Sequence, residues 1–157
     1  MGAPRVSVVV PMRDAGASLP ELFDALDAQT FERDRFEVLV VDDGSRDDSV
    51  EIARARPGVT VLGNPRPAGS YAARNLAIQR ARGEILAFTD ADCRPEPDWL
   101  TALLDGLDHL YAELIGGRVA LSLPDRARLP ALVDVARHWD QERFVRLQGF
   151  AVTANLA

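Results

Sequence analysis

The sequence predicts an α/β domain, with a mostly parallel sheet flanked by helices. Short runs of β-branched and other apolar residues alternate with segments of helical periodicity over roughly the first two-thirds of the chain. Such alternation is typical of right-handed βαβ units, whose strands run parallel. Polar clusters also follow three of the apolar runs, at the carboxyl ends where such sheets bind their ligands.

The apolar runs are short, bounded by turn residues and rich in valine, as expected for buried strands. Pro11 directly follows the first run, and we expect it to end that strand because proline cannot donate to the sheet ladder. The predicted strands cover residues 5–10, 36–41, 59–62 and 84–88, and a fifth, interrupted by two glycines, covers 114–121.

Helices are predicted in the intervals that follow the four strands. Two of them start with a serine followed three positions later by an acidic residue, the pattern of a capping box. Gly83 is the expected stop of the third helix, because glycine readily adopts the left-handed conformation that ends helices. The predicted helices cover residues 18–26, 45–55, 69–81 and 98–107, with a further helix at 129–144 and a strand at 150–156.

The composition disfavours several functions. A net charge of −6 argues against nucleic acid as the main partner. All eighteen basic residues are arginine, and the absence of lysine excludes the phosphate-binding loop of P-loop NTPases and any Schiff-base mechanism.

The compartment is predicted from the cysteine content and the apolar runs. Cys93 is the single cysteine, so an internal disulfide is impossible and a reducing cytoplasm is expected. The longest apolar runs are too short to span a bilayer. We therefore expect a cytoplasmic location, with the inner face of the membrane as an alternative for a longer protein.

Asp90-Ala91-Asp92 follows the fourth predicted strand. Two carboxylates in one loop suit Mg²⁺ or Mn²⁺, which commonly bind one or two carboxylates and complete their shell with phosphate oxygens and water. The alternative is a polar turn in which aspartate caps the next helix. From these residues alone the two interpretations are equally supported.

Two further clusters allow a functional and a structural interpretation. Asp43, after the second strand, could accept a hydrogen bond from a nucleobase N–H or a ribose hydroxyl, or it could simply belong to an acidic helix start. Arg74 follows Gly69 in the third helix and offers a forked donor suited to phosphate. It could equally be a surface arginine on an ordinary helix.

Taken together, these segments resemble the family 2 glycosyltransferases, which have the GT-A fold. Any one motif is weak, but the ordered set is specific, because each lies at the expected end of its element. The matching segments are residues 6–14, 40–47, 64–69, 73–75 and 83–92, and 153–157 is similar to the strand before the acceptor-side loop.

The resemblance implies transfer of a sugar from a nucleotide donor, usually a UDP-sugar, with inversion and with Mn²⁺ or Mg²⁺ as cofactor. Asp43 would contact the base, Arg74 would lie near the diphosphate, and Asp92 would bind the metal. The other implied nucleotide-binding residues are Pro11, Arg13, Asp14, Asp90, which would face the ribose, and Ala91. The acceptor could be a glycan, a lipid or a small molecule.

One departure from the family pattern shapes the expected organisation. Family members continue with a stretch that carries or precedes the catalytic carboxylate, and we expect that base beyond Ala157. Residues 1–123 are then the nucleotide-sugar-binding part, and 124–157 are the start of an incomplete acceptor-side region. Such a fragment would bind a donor without transferring sugar, and apolar surface left uncovered could favour a homodimer. The alternative is a non-catalytic nucleotide-sugar-binding module.

Other α/β families fit less well. A dinucleotide-binding dehydrogenase needs a glycine-rich fingerprint after the first strand, where this chain has Pro11-Met12-Arg13-Asp14-Ala15-Gly16. A response-regulator receiver uses a lysine, and a sugar-1-phosphate nucleotidyltransferase would need a glycine-rich basic loop at the same position.

Overall fold

The computed structural model describes residues 2–111, 113–117 and 119–120. Four parallel strands, β1 (Val6–Met12), β2 (Phe36–Asp42), β3 (Val59–Gly63) and β4 (Ile85–Phe88), form one sheet in the order β3-β2-β1-β4. The helices are α1 (Leu19–Asp27), α2 (Ser49–Ala55), α3 (Ser70–Ile78) and α4 (Trp99–Leu110), with a 3-10 turn at Arg33–Arg35. The predicted α/β architecture is confirmed.

The C-terminal predictions fall largely outside the described residues. These are the helix at 129–144, the strand at 150–156 and the boundary between 1–123 and 124–157. Within the described part of 114–121, the structure shows a single bridge residue, Gly116, in place of the predicted strand. No helix in the described part of the chain is long and apolar enough to cross a membrane.

β1 is buried along its whole length because it has a strand on each side and helices on both faces. Its alternate residues point to opposite faces of the sheet. One face packs against apolar residues of α1, α2 and α4, and the other, which includes Val9, packs against Ala73 and Ala77 of α3. This double burial explains why the first strand is a continuous valine-rich run.

The prediction that Pro11 ends the first strand is wrong. The carbonyl of Val9 accepts a hydrogen bond from the Thr89 N–H at 3.2 Å. The backbone N–H and C=O groups of odd-numbered residues in β1 therefore point toward β4. The backbone nitrogen of Pro11 also points toward β4, but the pairing between β1 and β4 has already ended at Phe88. No ladder hydrogen bond is lost, and β1 continues to Met12.

Neither predicted capping box forms. Ser18 is the N-cap residue of α1 but makes no side-chain cap bond, and its hydroxyl donates to the Ala15 carbonyl at 3.1 Å. Ser45 lies upstream of α2, where its hydroxyl accepts a hydrogen bond from the Asp14 N–H at 3.0 Å. Both serines therefore order the loop between β1 and α1 (residues 13–18).

Gly83 has a role other than the predicted helix stop, because α3 already ends at Ile78. A Cβ atom at Gly83 would lie 2.6 Å from the backbone nitrogen of Ser7. Glycine is needed here so that the chain can pass close beside β1 as it enters β4.

A buried polar network fixes the amino-terminal edge of the sheet. The Glu37 carboxylate accepts hydrogen bonds from the Ser7 hydroxyl at 2.7 Å and from the Arg82 N–H at 2.7 Å and Nε at 2.9 Å. Burial raises the pKa of Glu37, but these hydrogen bonds and the charge of Arg82 outweigh burial, so the pKa lies below its ordinary value of 4.5. The network ties β1, β2 and the approach to β4 together.

We predict that Glu37→Gln lowers the free energy of unfolding at neutral pH by about 1–3 kcal/mol, because buried donors lose their charged acceptor. A lowered folded-state pKa stabilises the fold above the unfolded value, and this contribution is lost as the pH falls through the folded value. The difference between variant and wild type should therefore shrink as the pH falls below 4.5.

Urea unfolding at several pH values measures this difference. Glu84→Gln, at an exposed glutamate on the same edge, is the matched control and should behave as wild type. A Glu37→Gln penalty that stays constant down to acid pH would contradict the assignment.

Candidate functional site

An open cleft of about 440 Å³ lies at the carboxyl edge of the sheet. Every residue that the sequence analysis assigned to nucleotide or metal lines it: Pro11, Arg13, Asp14, Asp43, Arg74, Asp90, Ala91 and Asp92. The structure adds Met12, Ala15, Ser18, Gly69 and Ser70 to the lining. Residues as far apart in sequence as Pro11 and Asp92 thus line one cavity.

The strand register brings these residues together. Met12 at the end of β1 pairs with Asp42 at the end of β2, and Val9 pairs with Phe88 at the end of β4. Because the strands are parallel, the loops that follow them leave the same edge of the sheet. The β3–α3 loop (residues 64–69) supplies Gly69 as a further wall.

Asp43 is only 3% exposed and holds the β3–α3 loop. Its Oδ1 accepts hydrogen bonds from Asn64 Nδ2 at 2.6 Å and the Ala68 N–H at 3.2 Å, and its Oδ2 accepts one from the Gly69 N–H at 2.7 Å. Burial raises the pKa of Asp43, but these bonds and the charge of Arg13 outweigh it, and the pKa lies below its ordinary value. Oδ2 keeps capacity for one further donor.

Gly44 lets the β3–α3 loop pack down onto the end of β2. It has a positive φ of 89°, a conformation that glycine adopts without strain. A Cβ atom there would lie 3.1 Å from the Cγ of Pro67. Asp43 and Gly44 together therefore set the position of this wall of the cleft.

Asp14 is committed to the loop that carries it. It adopts a left-handed backbone conformation, with φ of 49°, and its Oδ1 accepts a hydrogen bond from the Arg46 N–H at 2.7 Å. The next two N–H groups, of Ala15 and Gly16, donate to side chains that follow β2. The family resemblance implies that Asp14 lines the nucleotide pocket. In the structure its carboxylate also accepts a hydrogen bond from the loop after β2.

Arg13 provides an accessible positive charge at the cleft. Its side chain is 55% exposed, and its Nε lies 4.0 Å from the Asp14 carboxylate. This long ion pair leaves guanidinium donors that can bind an anionic ligand.

Arg74 reaches the cleft from α3 and is buried, with its side chain 8% exposed. Its Nη2 donates to Oδ1 of Asp90 in an ion pair. Burial raises the pKa of Asp90, and the negative charge of Asp92 adds to this, whereas Arg74 lowers it; the pKa lies above its ordinary value. The two aspartates therefore form a site that favours positive charge.

Asp90 and Asp92, in the loop after β4, could bind a divalent cation only together with oxygen atoms of a bound ligand such as a phosphate. Among the described residues, no group of three or more His, Cys, Asp or Glu side chains could hold a metal ion. Asp92 is exposed and Asp90 is partly exposed. One or two carboxylates with phosphate oxygens and water are a donor set that Mg²⁺ commonly takes, so the residues fit a cation bridging to a phosphate.

Sequence comparison places the chain among sugar-transferring proteins. The model of glycosyl transferase family 2 matches residues 7–147. The chain is 33% identical over 157 residues to glycosyltransferase AglE of Haloferax volcanii, covering 98% of this chain and 52% of that protein. It is 39% identical over 107 residues to an undecaprenyl-phosphate 4-deoxy-4-formamido-L-arabinose transferase of Pseudomonas aeruginosa, covering 64% of this chain and 31% of that protein.

Solved structures agree on the fold. The mannosyltransferase PcManGT of Pyrobaculum calidifontis, in complex with GDP-Man and Mn²⁺, matches with a TM-score of 0.65 and 27% identity over 96% of this chain and 48% of its own. S. aureus TarS 1-349 in complex with UDP-GlcNAc matches with a TM-score of 0.66 and 27% identity over 77% of this chain and 37% of its own. The chain spans about half the length of AglE and about a third of the arabinose transferase.

We predict that Asp43→Ala loosens the β3–α3 loop while the sheet stays folded. The amide hydrogens of Ala68 and Gly69 should exchange at least about tenfold faster, because each loses a charged acceptor worth about 1.5–3 kcal/mol. Hydrogen exchange resolved by residue measures this effect. Asp34→Ala is the control, because this exposed aspartate lies in the 3-10 turn before β2, at the opposite end of the strand from the cleft. Unchanged exchange at Gly69 in Asp43→Ala would contradict the assigned role.

Proposed function

The chain belongs to glycosyl transferase family 2, and from that premise we propose that its cleft binds a nucleotide-sugar donor, a UDP-sugar, with Mn²⁺ or Mg²⁺. The reaction that this binding serves is transfer of the sugar to an acceptor with inversion at the anomeric carbon. The observation that carries the proposal is that Asp43, Arg13, Arg74, Asp90 and Asp92 all line one cleft. Residues 1–123 are the donor-binding part in this proposal.

Asp43 supports recognition of the base. It is buried and ionised, and its Oδ2 has one acceptor position left after Gly69. A nucleobase N–H would fill that position with a charge-assisted hydrogen bond, which is stronger than a neutral one. The N–H of uracil suits this position. Related proteins have been solved in complex with UDP-GlcNAc and with GDP-Man. The preference for uridine rests on the family resemblance.

Arg13 and Arg74 support binding of the diphosphate. Arg13 is exposed at the cleft, and Arg74 lies opposite the Asp90 carboxylate. The cleft also presents Asp90 and Asp92, whose charge would repel a diphosphate. When bound, a divalent cation neutralises that repulsion and the charge that develops on the departing phosphate. Asp92 is the proposed metal-binding residue, and Asp90, beside Ala91, is proposed to face the ribose.

None of the described cleft carboxylates is suited to act as general base. Asp14 accepts from Arg46, Asp43 accepts three hydrogen bonds, and Asp90 is paired with Arg74. Each of these three carboxylates therefore already has a donor of the chain as its partner, and Asp92 is assigned to the cation. We therefore expect the base for the acceptor hydroxyl to lie outside this set of carboxylates, and its contribution is typically of order 10²–10⁴-fold in rate.

Because these carboxylates are already bonded within the chain, a second candidate function is a nucleotide-sugar-binding module without catalysis. A sugar-transfer assay on a chain extended to the length of its relatives distinguishes the enzyme from the binding module. A polyprenyl phosphate is the first acceptor to test, because one relative is named for undecaprenyl phosphate; glycans and small-molecule acceptors follow. Donor binding without any transfer would favour the binding module.

We predict that UDP binds with Mn²⁺ or Mg²⁺ and much more weakly with EDTA. The reason is the repulsion between the diphosphate and the paired carboxylates, which a cation reverses. Isothermal titration calorimetry measures both affinities. Asp92→Ala should reproduce the effect of EDTA, whereas Asp98→Ala, at an exposed aspartate nearby, should not. Equal affinity with and without metal would contradict the proposed cation bridge.

Uridine, which lacks the diphosphate, should bind weakly and without dependence on metal. Asp43→Ala should reduce its affinity by about 1.5–3 kcal/mol, as expected for a hydrogen bond to a charged group. Titration of uridine and guanosine side by side measures this. If guanosine binds more tightly than uridine, the donor class changes while the site stays the same; an unchanged uridine affinity in Asp43→Ala would exclude Asp43 from base recognition.

A further inference from the structure

The ion pair between Arg74 and Asp90 lies beside Asp92, the proposed metal-binding residue. Arg74 is almost fully buried, and its Nη2 lies against Oδ1 of Asp90. The Asp90 side chain is 34% exposed, so one side of it stays open to the cleft. Without a bound ligand, the Asp90 carboxylate therefore has an internal cation as its partner.

The charges around Asp90 determine how readily a divalent cation can approach this loop. Asp92 carries a second negative charge two residues from Asp90, and Arg74, which is paired with Asp90, carries the opposing positive charge. A bare divalent ion approaching the two carboxylates would meet the positive charge of Arg74. Because the described residues contain no group of three acidic, histidine or cysteine side chains, such an ion would have few protein ligands with which to offset this repulsion.

Arg74 has hydrogen-bonding capacity left. Within the described part of the chain, its buried Nε has no hydrogen-bond partner. A buried donor without a partner is unfavourable. The guanidinium carbon of Arg74 also lies 6.0 Å from the centroid of the Tyr71 ring. An anion with several oxygens, such as a diphosphate, could satisfy the guanidinium more completely than Asp90 does alone.

We propose that Arg74 acts as an internal counter-cation for Asp90, which keeps free divalent cations from binding tightly until a diphosphate offers Arg74 another partner. Cation and diphosphate then bind with positive coupling, each raising the affinity for the other by the same factor. Arg74 is thus a positioning residue that sets the coupling between the two ligands. This inference rests on the proposed function for the identity of the diphosphate ligand.

The decisive experiment titrates Mn²⁺ alone into the nucleotide-free chain and detects free Mn²⁺ by electron paramagnetic resonance. Arg74→Gln should bind Mn²⁺ about tenfold more tightly than wild type, within the 5- to 150-fold range typical of coupled sites. Arg74→Lys keeps the positive charge and should stay near wild type. Arg80→Gln, at an exposed arginine just beyond α3, is the matched control. Equal Mn²⁺ affinity in Arg74→Gln and wild type would overturn the proposal.

The double variant Arg74→Gln with Asp90→Asn should lose the gain in Mn²⁺ affinity, because residue 90 then has no negative charge to attract the cation. If the gain persists in the double variant, competition for Asp90 is not its cause. If Arg74→Gln is unfolded without metal, Mn²⁺ should restore cooperative unfolding and Na⁺ of equal ionic strength should not. A failure of Mn²⁺ to restore folding would also overturn the proposal.

Addition of UDP tests the second half of the proposal. In wild type, UDP should raise the affinity for Mn²⁺, and in Arg74→Gln the increase should be smaller. An equal increase in both would overturn the coupling role of Arg74. Absence of any UDP binding to wild type would contradict the proposed function, and the comparison with Mn²⁺ alone would still decide whether Arg74 competes for Asp90.

Discussion

The structure depends on the burial of β1 between two parallel neighbours. A strand with partners on both edges and helices on both faces cannot shift its register without exposing apolar side chains. Its pairing with β2 and β4 fixes where each of those strands ends. The loops that follow therefore leave the sheet at one edge, and the cleft is a consequence of this register more than of any contact within the cleft itself.

At that edge the acidic residues are already paired with donors of the chain. Asp43 is bonded to the β3–α3 loop, Asp14 to the loop after β2, and Asp90 to Arg74. Buried or half-buried carboxylates need such partners because desolvation disfavours their charged form. The same pairing gives a cleft whose shape is set before a ligand binds, which reduces the ordering cost of binding. Asp92, which is exposed, and the accessible Arg13 are left to respond to a ligand.

The proposed donor chemistry follows from this distribution of charge. A cleft with two neighbouring aspartates and two arginines can hold an anion and a cation together better than either alone. Two proteins that share the fold have been solved in complex with nucleotide sugars, one of them also with Mn²⁺. Arg74 connects the two requirements, because it partners Asp90, next to the proposed cation ligand Asp92, and lines the same cavity as the proposed diphosphate position.

The sequence by itself determined the α/β class, the order of the elements and the cleft residues that follow the strands. Periodicity identifies buried strands, and parallel strands place their carboxyl ends together, so Asp43, Asp90 and Asp92 could be placed at one edge. Asn64 was missed as a site residue, although its place directly after β3 is the same signal. Only the tertiary structure decided that Pro11 lies inside β1, that Ser45 orders the loop after β1 instead of capping a helix, and that Arg74 is buried against Asp90. These outcomes depend on which backbone groups and side chains meet across the fold, and such contacts between distant segments leave no local pattern in the sequence.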